Sequence, residues 1–201
     1  MDDPARTAQY LLYRQNELSR IKSELSALAP GEYILELGCG HGHFLTGLAG
    51  KFTVDGKKFN YAGVDKNPDR IERANRKSGL TQLPITWFNA SIEDVLELWP
   101  KPCTISQIFV LFPDPWPKAK HHKNRFVNPT LLQTLAKISK KGALFHFRTD
   151  HDGYFDAANE MIAAQSAWKP DTSQSWPADL PATVFEGHHP RYQSLIATLG
   201  G

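Results

Sequence analysis

The chain has 201 residues, of which 41% are hydrophobic and 22% charged, with a net charge of +2 and two cysteines. That is enough chain for one domain with a substantial core. The balance excludes wholesale disorder, a disulfide framework, a CxxC zinc site, and attraction to nucleic acid by overall charge alone.

No run of 18 apolar residues occurs, and "MDDPARTAQY" lacks an apolar signal core, so a cytoplasmic protein with no membrane partner is expected. Along residues 7–28, Leu11, Leu18, Ile21, Leu25 and Leu28 recur at spacings of three, four and seven. They predict one helix with an apolar stripe, ended by Pro30-Gly31. This arm (1–30) is set apart from a second unit, 31–201, in which strands and helices alternate. "YILELG" reads as a strand, "HFLTGLAGKF" as a helix and "YAGVD" as a strand. The helix "NPDRIERANRKSG" has Asn67 as N-cap, Pro68 as first residue and Gly79 as stop. "ITWFNA" is a strand, and Ser91 with Asp94 suits the start of the next helix. "TISQIFVLF" is a fourth strand, "NPTLLQTLAKISKKG" a helix that repeats the Asn-Pro start at Asn128 and has a Lys-Lys-Gly finish, "ALFHFRTD" a fifth strand and "YFDAANEMIAA" a helix. After the loop "KPDTSQSWPADLP", strand-like pieces around "TVFE" and "YQSLIATL" have no helix between them. The expected fold is therefore α/β: seven strands, mostly parallel, helices on both faces, and an antiparallel C-terminal edge.

Gly38, Gly40 and Gly42 follow the first strand in "ELGCGHGHF". Glycine there lets the backbone turn sharply and approach a ligand. A dinucleotide fold would place its third glycine at position 43, which is His43. The spacing E-x-G-x-G-x-G instead resembles motif I of class I S-adenosylmethionine (SAM)-dependent methyltransferases; the plainer alternative is a tight strand-to-helix turn. Asp65 and Asn89 end the second and third strands. The carboxyl ends of central strands line the ligand crevice of a doubly wound sheet. An acid at Asp65 can accept from both ribose hydroxyls or simply cap a helix. Asn89 can meet an adenine amino group, and Glu36 complements the cationic end of SAM.

After the fourth strand comes "LFPDPWPKAKHHKNR". Proline fixes φ and restricts the residue before it, so Pro113 and Pro115 hold Asp114 with little freedom. A rigid surface turn is the bland reading of the tripeptide alone. The longer string "FPDPWPKAKHHKNR" resembles the signature of the tRNA (guanine-N7-)-methyltransferase family. The likeness runs from "LELGCGHG" through "GVDKN", "NASIEDVL" and "HFRTD" to "TVFE", about residues 33–186. The resemblance implies a Rossmann-like SAM-dependent methyltransferase domain over 31–201, transferring methyl to guanine N7 in the variable loop of tRNA and releasing S-adenosyl-L-homocysteine. It implies that Glu36, Asp65, Asn89 and Asp114 lie at cofactor positions, with the three glycines, and that Asp114 is the active-site residue. Lys118, Asp150 and Thr183 to Glu186 fall at substrate positions, and Lys120, His121, His122, Lys123 and Arg125 in the RNA-contact segment. Family members commonly carry an acid where Asn89 stands. They also follow Thr-x-Phe-Glu with a more basic segment than "GHHPRYQSLIATLGG".

Several residues keep two readings. Trp116 stacks on a base or packs beneath the loop. Asp150 faces the crevice or caps the following helix. Arg148 meets phosphate or Asp150. The N-terminal helix packs or reaches tRNA. Adjacent histidines at 121–122 and 188–189 point apart and have no third ligand at useful spacing, so no metal is expected. The chain is read as monomer or homodimer. Other classes compatible with parts of the pattern are a SAM-dependent enzyme acting on another RNA or a small molecule, a nicotinamide-dependent oxidoreductase, and a non-catalytic RNA-binding module.

Overall fold

A computed structural model describes residues 4–174, 176, 180–183, 186–187 and 191–200 (of 4–6, the backbone alone). Helix α1 (Pro4–Ser26) leads into β1 (Gly31–Leu37), α2 (His43–Val54), β2 (Asn60–Asp65), α3 (Pro68–Thr81), β3 (Ile85–Asn89), α4 (Ile92–Glu97) and β4 (Cys103–Leu111). A 3-10 turn at Ala119–Asn124 precedes α5 (Pro129–Ile138), β5 (Ser139–Thr149), α6 (Asp152–Ala163), β6 (Trp168–Pro170) and β7 (Gln193–Leu199). The strands form one sheet in the order β3-β2-β1-β4-β5-β7-β6. β1 to β5 pair in parallel, and β7 runs antiparallel to both β5 and β6.

Side chains alternate between two cores, because successive residues of a strand point to opposite faces. Tyr33, Leu35 and Leu37 of β1 join one cluster with Ile21 and Leu25 of α1, Val95 of α4, Leu132 of α5 and Tyr154 of α6. Ile34 joins the other, with Phe44 and Leu48 of α2, Ile71 and Ala74 of α3, Trp87 and Phe109. Both faces are covered, which is why the central strands read as nearly unbroken apolar runs.

The expected N-caps form, but α3 runs past Gly79, its expected stop, to Thr81, and Gln82 at φ 52° takes the left-handed cap position. Asn67 accepts from the backbone N–H groups of Asp69 and Arg70, Ser91 from Asp94, and Asn128 from Leu131. α1 is pinned by polar contacts as well as packing. Arg14 forks onto the Asp94 carboxylate, holding that carboxyl below its usual range. Arg20 donates to the Asn89 carbonyl oxygen at 2.7 Å.

Three further expectations need correction. The helix read through "SKKG" stops at Ile138, and Ser139 already pairs with Ile105 in the sheet. The register then jumps to Gln107 opposite Leu144, so residues between them bulge, with Gly142 at φ 76° supplying the left-handed bend. The sixth strand is Trp168–Pro170, not the stretch around "TVFE". Trp168 is fully buried and donates its indole N–H to the Leu132 carbonyl at 2.8 Å, an anchor that local sequence does not announce. Val184 and Phe185 lie outside the described residues, and the flanking Thr183 and Glu186 are not in a strand. Finally, the cap of α6 is His151, whose Nδ1 accepts from the Tyr154 N–H at 3.2 Å, rather than Asp150.

Candidate functional site

The strand order reverses between β1 and β4, and ligand crevices of doubly wound sheets open at such a switch point, beyond the carboxyl ends of the strands. The glycine loop leaves β1 at this place. Gly38, Gly40 and Gly42 adopt φ values of 77°, 54° and 66°, a region that favours glycine. At Gly38 and Gly40 an added Cβ would meet nothing, so glycine serves the turn itself. At Gly42 it would lie 2.5 Å from the Trp87 ring and 2.8 Å from the Ala74 methyl. Gly42→Ala is therefore expected to lower stability to urea by about 2 kcal/mol, from strain and overpacking together. Unfolding midpoints equal to the parent's would refute that close packing.

Glu36 sits on β1 beneath this loop, only 4% exposed, with Oε2 unpartnered. Burial, reinforced by nearby Asp65, pushes its carboxyl up to about 8, against the Leu45 backbone N–H and Lys77, which favour the anion. A buried acid with a vacant acceptor oxygen suits a cationic group. Asp65 is also buried. It accepts from the Gly40 N–H at 3.0 Å and the Asn67 N–H at 2.9 Å, with the Arg70 guanidinium 3.5 Å away. With the Arg70 contact counted as a third, long hydrogen bond, about one of four lone-pair directions remains for a ligand hydroxyl. Asn89 ends β3 as expected, and its side-chain amide donates to the Asp65 carbonyl at 3.3 Å. These residues fit a nucleoside bearing a cationic amino-acid tail.

Two cations here escaped the sequence reading. Arg70 faces Asp65, and Lys77 donates to the His41 carbonyl of the glycine loop at 3.0 Å. They stand seven residues apart on α3, with Ala74 between them under Gly42. That spacing on one helix face was the available signal.

Asp114 lies beyond β4 and is exposed. Its loop is more constrained than the prolines alone require. Phe112 and Trp116 flank it at φ 50° and 44°, left-handed values that cost non-glycine residues about 1–3 kcal/mol each. Two clamps hold this shape. The Phe112 N–H donates to the Arg148 carbonyl at 2.8 Å. Arg125 donates through Nε to the Pro115 carbonyl at 3.0 Å and through Nη1 to the Gly153 carbonyl at 3.1 Å. Arg125 is thus buried, its guanidinium over the Tyr154 ring, and it parts from the basic run to which its position in sequence assigned it. Lys118, Lys120, His122 and Lys123 are exposed on the 3-10 turn or at its start. His121 stacks against Trp116 at 5.7 Å between ring centroids, so Trp116 packs within its own loop.

Asp150 follows β5 and is exposed at the same sheet edge. Thr183 and Glu186 form a local turn, the Thr183 hydroxyl oxygen accepting from the Glu186 N–H at 3.2 Å. Arg148 pairs with Glu186 at 2.5 Å, a partner its place in the sequence does not suggest.

The family described as "Putative methyltransferase" matches residues 31–193. The tRNA (guanine-N(7)-)-methyltransferase of Mesoplasma florum is 36% identical over 140 residues, which are 67% of this chain and 61% of that protein. That of Azorhizobium caulinodans is 32% identical over 171 residues, 82% of this chain and 70% of that protein. The chain thus spans less than two thirds of some curated relatives it matches, 61% in the Mesoplasma case. A solved rRNA methylase from Streptococcus thermophilus superposes with a TM-score of 0.57 at 10% identity, over 91% of this chain and 95% of that one, a likeness of fold. The sheet is that of class I methyltransferases, and the Azorhizobium match extends over most of both chains. On these grounds the chain belongs to the tRNA (guanine-N(7)-)-methyltransferase family.

Proposed function

We propose that this chain is a cytoplasmic enzyme that transfers the methyl group of SAM to N7 of a guanine in the variable loop of tRNA. The observation that carries the reading is the set of acids around one crevice: Glu36 buried with an unpartnered oxygen, Asp65 beside it, and Asp114 exposed on a doubly clamped loop. An exposed cationic turn follows that loop immediately.

Glu36, Asp65, Asn89 and the backbone of Gly38, Gly40 and Gly42 hold the cofactor, with Asp114 at its reactive end. When bound, SAM supplies an electrophilic methyl group and leaves as S-adenosyl-L-homocysteine. Guanine N7 carries a lone pair and no hydrogen, so no proton has to be removed first. The work of the chain is orientation and charge. Asp114 supplies a fixed negative charge beside a purine that becomes cationic, and such preorganised electrostatics is a large catalytic term. Asp150, Thr183 and Glu186 offer acceptors to the N–H groups of the base. Lys118, Lys120, His122 and Lys123 track the phosphates, which position the RNA without reading its sequence. Arg125 acts from beneath, through the loop.

Unmodified tRNA incubated with the protein and SAM, then digested to nucleosides, should yield N7-methylguanosine by mass spectrometry. Methyl transfer only to another nucleoside or to a small molecule would overturn the reading. Reversing charge at Lys120 and Lys123 (K120E/K123E) should weaken tRNA binding and reduce the slope of log affinity against log salt by about 2. Binding by S-adenosyl-L-homocysteine should not change. A slope equal to the parent's would remove these lysines from the RNA path.

A further inference from the structure

Arg148 stands where three parts of the proposed site meet. It is 6% exposed near the end of β5. Its Nε donates to the Ser194 hydroxyl at 2.8 Å and its Nη1 to Glu186 Oε1 at 2.5 Å. Its guanidinium carbon lies 3.8 Å from the Trp176 ring centroid and 4.5 Å from that of Tyr192. Its backbone carbonyl accepts from Phe112, the left-handed residue that opens the Asp114 loop. Tyr192 in turn meets the Phe112 ring edge-on at 5.8 Å.

We propose that Arg148 is a positioning residue that fixes the Glu186 carboxylate relative to the Asp114 loop, so that Glu186 reads the N–H edge of the target guanine. This rests on the reading of guanine in tRNA as acceptor. A guanidinium is planar and carries N–H donors in a fixed fork, so it can serve Ser194 and Glu186 in its plane and two aromatic rings on its faces at once. An ammonium cannot do all four. The ion pair occupies Oε1 of Glu186, and the carboxylate keeps acceptor capacity at Oε2 for a base that offers two neighbouring N–H donors. The pair is held dry: Arg148 and Glu186 side chains are 7% and 14% exposed. Trp176, which covers the guanidinium, also sits edge-on to His146 at 5.5 Å, and His146 stacks on Phe109 at 4.3 Å. The reading carboxylate is thereby referenced to the centre of the sheet instead of to its own short turn.

The test is a double-mutant cycle on the full chain with unmodified tRNA. Arg148→Met and Glu186→Gln should each lower kcat/KM for tRNA about 10-fold or more. The double variant should fall within about 3-fold of the worse single, because both remove one interaction. Affinity for S-adenosyl-L-homocysteine by calorimetry should stay within about 2-fold, which separates positioning from general disruption. If Arg148→Met fails to fold, Arg148→Lys or Ser194→Ala, each combined with Glu186→Gln, provides the cycle, with a smaller loss expected from lysine because it keeps the charge. Losses that multiply in the double variant, or a parallel loss of cofactor-product binding, would overturn the proposal. A parent protein that makes no N7-methylguanosine would instead defeat the underlying reading, so the two failures are distinguishable.

Discussion

Asp114→Ala is expected to lower turnover on tRNA at least about 10²-fold, a loss of about 2.7 kcal/mol or more of transition-state stabilisation. The loop around Asp114 gives physical grounds for the size of the effect. Pro113 and Pro115 restrict the backbone on either side, Phe112 and Trp116 hold strained left-handed conformations, and Arg125 and the Arg148 carbonyl tie down both ends. Structure spent on holding one exposed acid is the mark of preorganisation, in which a charge is placed before it is needed. Because Asp114 itself is exposed, its removal should change folding stability by no more than about 0.5 kcal/mol. Asp114→Asn keeps the shape and removes the charge. It should fall close to the alanine variant if charge is the operative property, and close to the parent if only packing matters. Single-turnover rates with saturating tRNA and SAM read the chemical step directly. A decrease smaller than about 10-fold in both variants would show that Asp114 is not catalytic and would favour a role confined to loop rigidity.

Most of the alternation was legible because the signals are local. Asn67-Pro68, Ser91 and Asn128-Pro129 cap the helices they announce, and the apolar runs of β1, β2 and β4 need only themselves and their neighbours. The glycine loop was legible for a related reason: three positive φ angles in five residues leave glycine as the natural choice. What could not be read depends on distant partners. β6 has three residues and exists because Trp168 inserts beneath α5 and the strand pairs with β7. Arg125 looks like any other member of a basic run until Pro115 and Gly153 are found in its path. Phe112 and Trp116 carry no sequence mark of a left-handed backbone, since the strain is imposed by the clamps around them. The partners of Arg148, which are Glu186, Trp176 and Tyr192, lie 28 to 44 positions away in the sequence, beyond any spacing rule.

Glu36 offers the second large effect, and here the unliganded chain and the working enzyme should respond in opposite directions. Its carboxyl is raised from the usual 4.5 to about 8, chiefly by burial. An acid so shifted keeps its proton in the folded chain after the unfolded chain has released it. Stability from this group is therefore full below about pH 4.5 and is lost as pH rises toward 8, at up to about 1.4 kcal/mol per pH unit. Glu36→Gln removes the titration, and at pH 7 should stabilise the unliganded chain by about 1–3 kcal/mol, with the gain vanishing near pH 4.5. The same substitution should cost cofactor affinity. A cationic ligand beside Glu36 favours the anion, so binding at pH 7 should release close to one proton, measurable by calorimetry in buffers of different ionisation enthalpy. Affinity for SAM should accordingly rise with pH up to about 8 in the parent and lose that dependence in Glu36→Gln, where it should be at least about 10-fold weaker. Stability profiles that run parallel in parent and variant from pH 4.5 to 8, together with binding that releases no proton, would mean that Glu36 titrates normally and that its buried oxygen finds water instead of a cation.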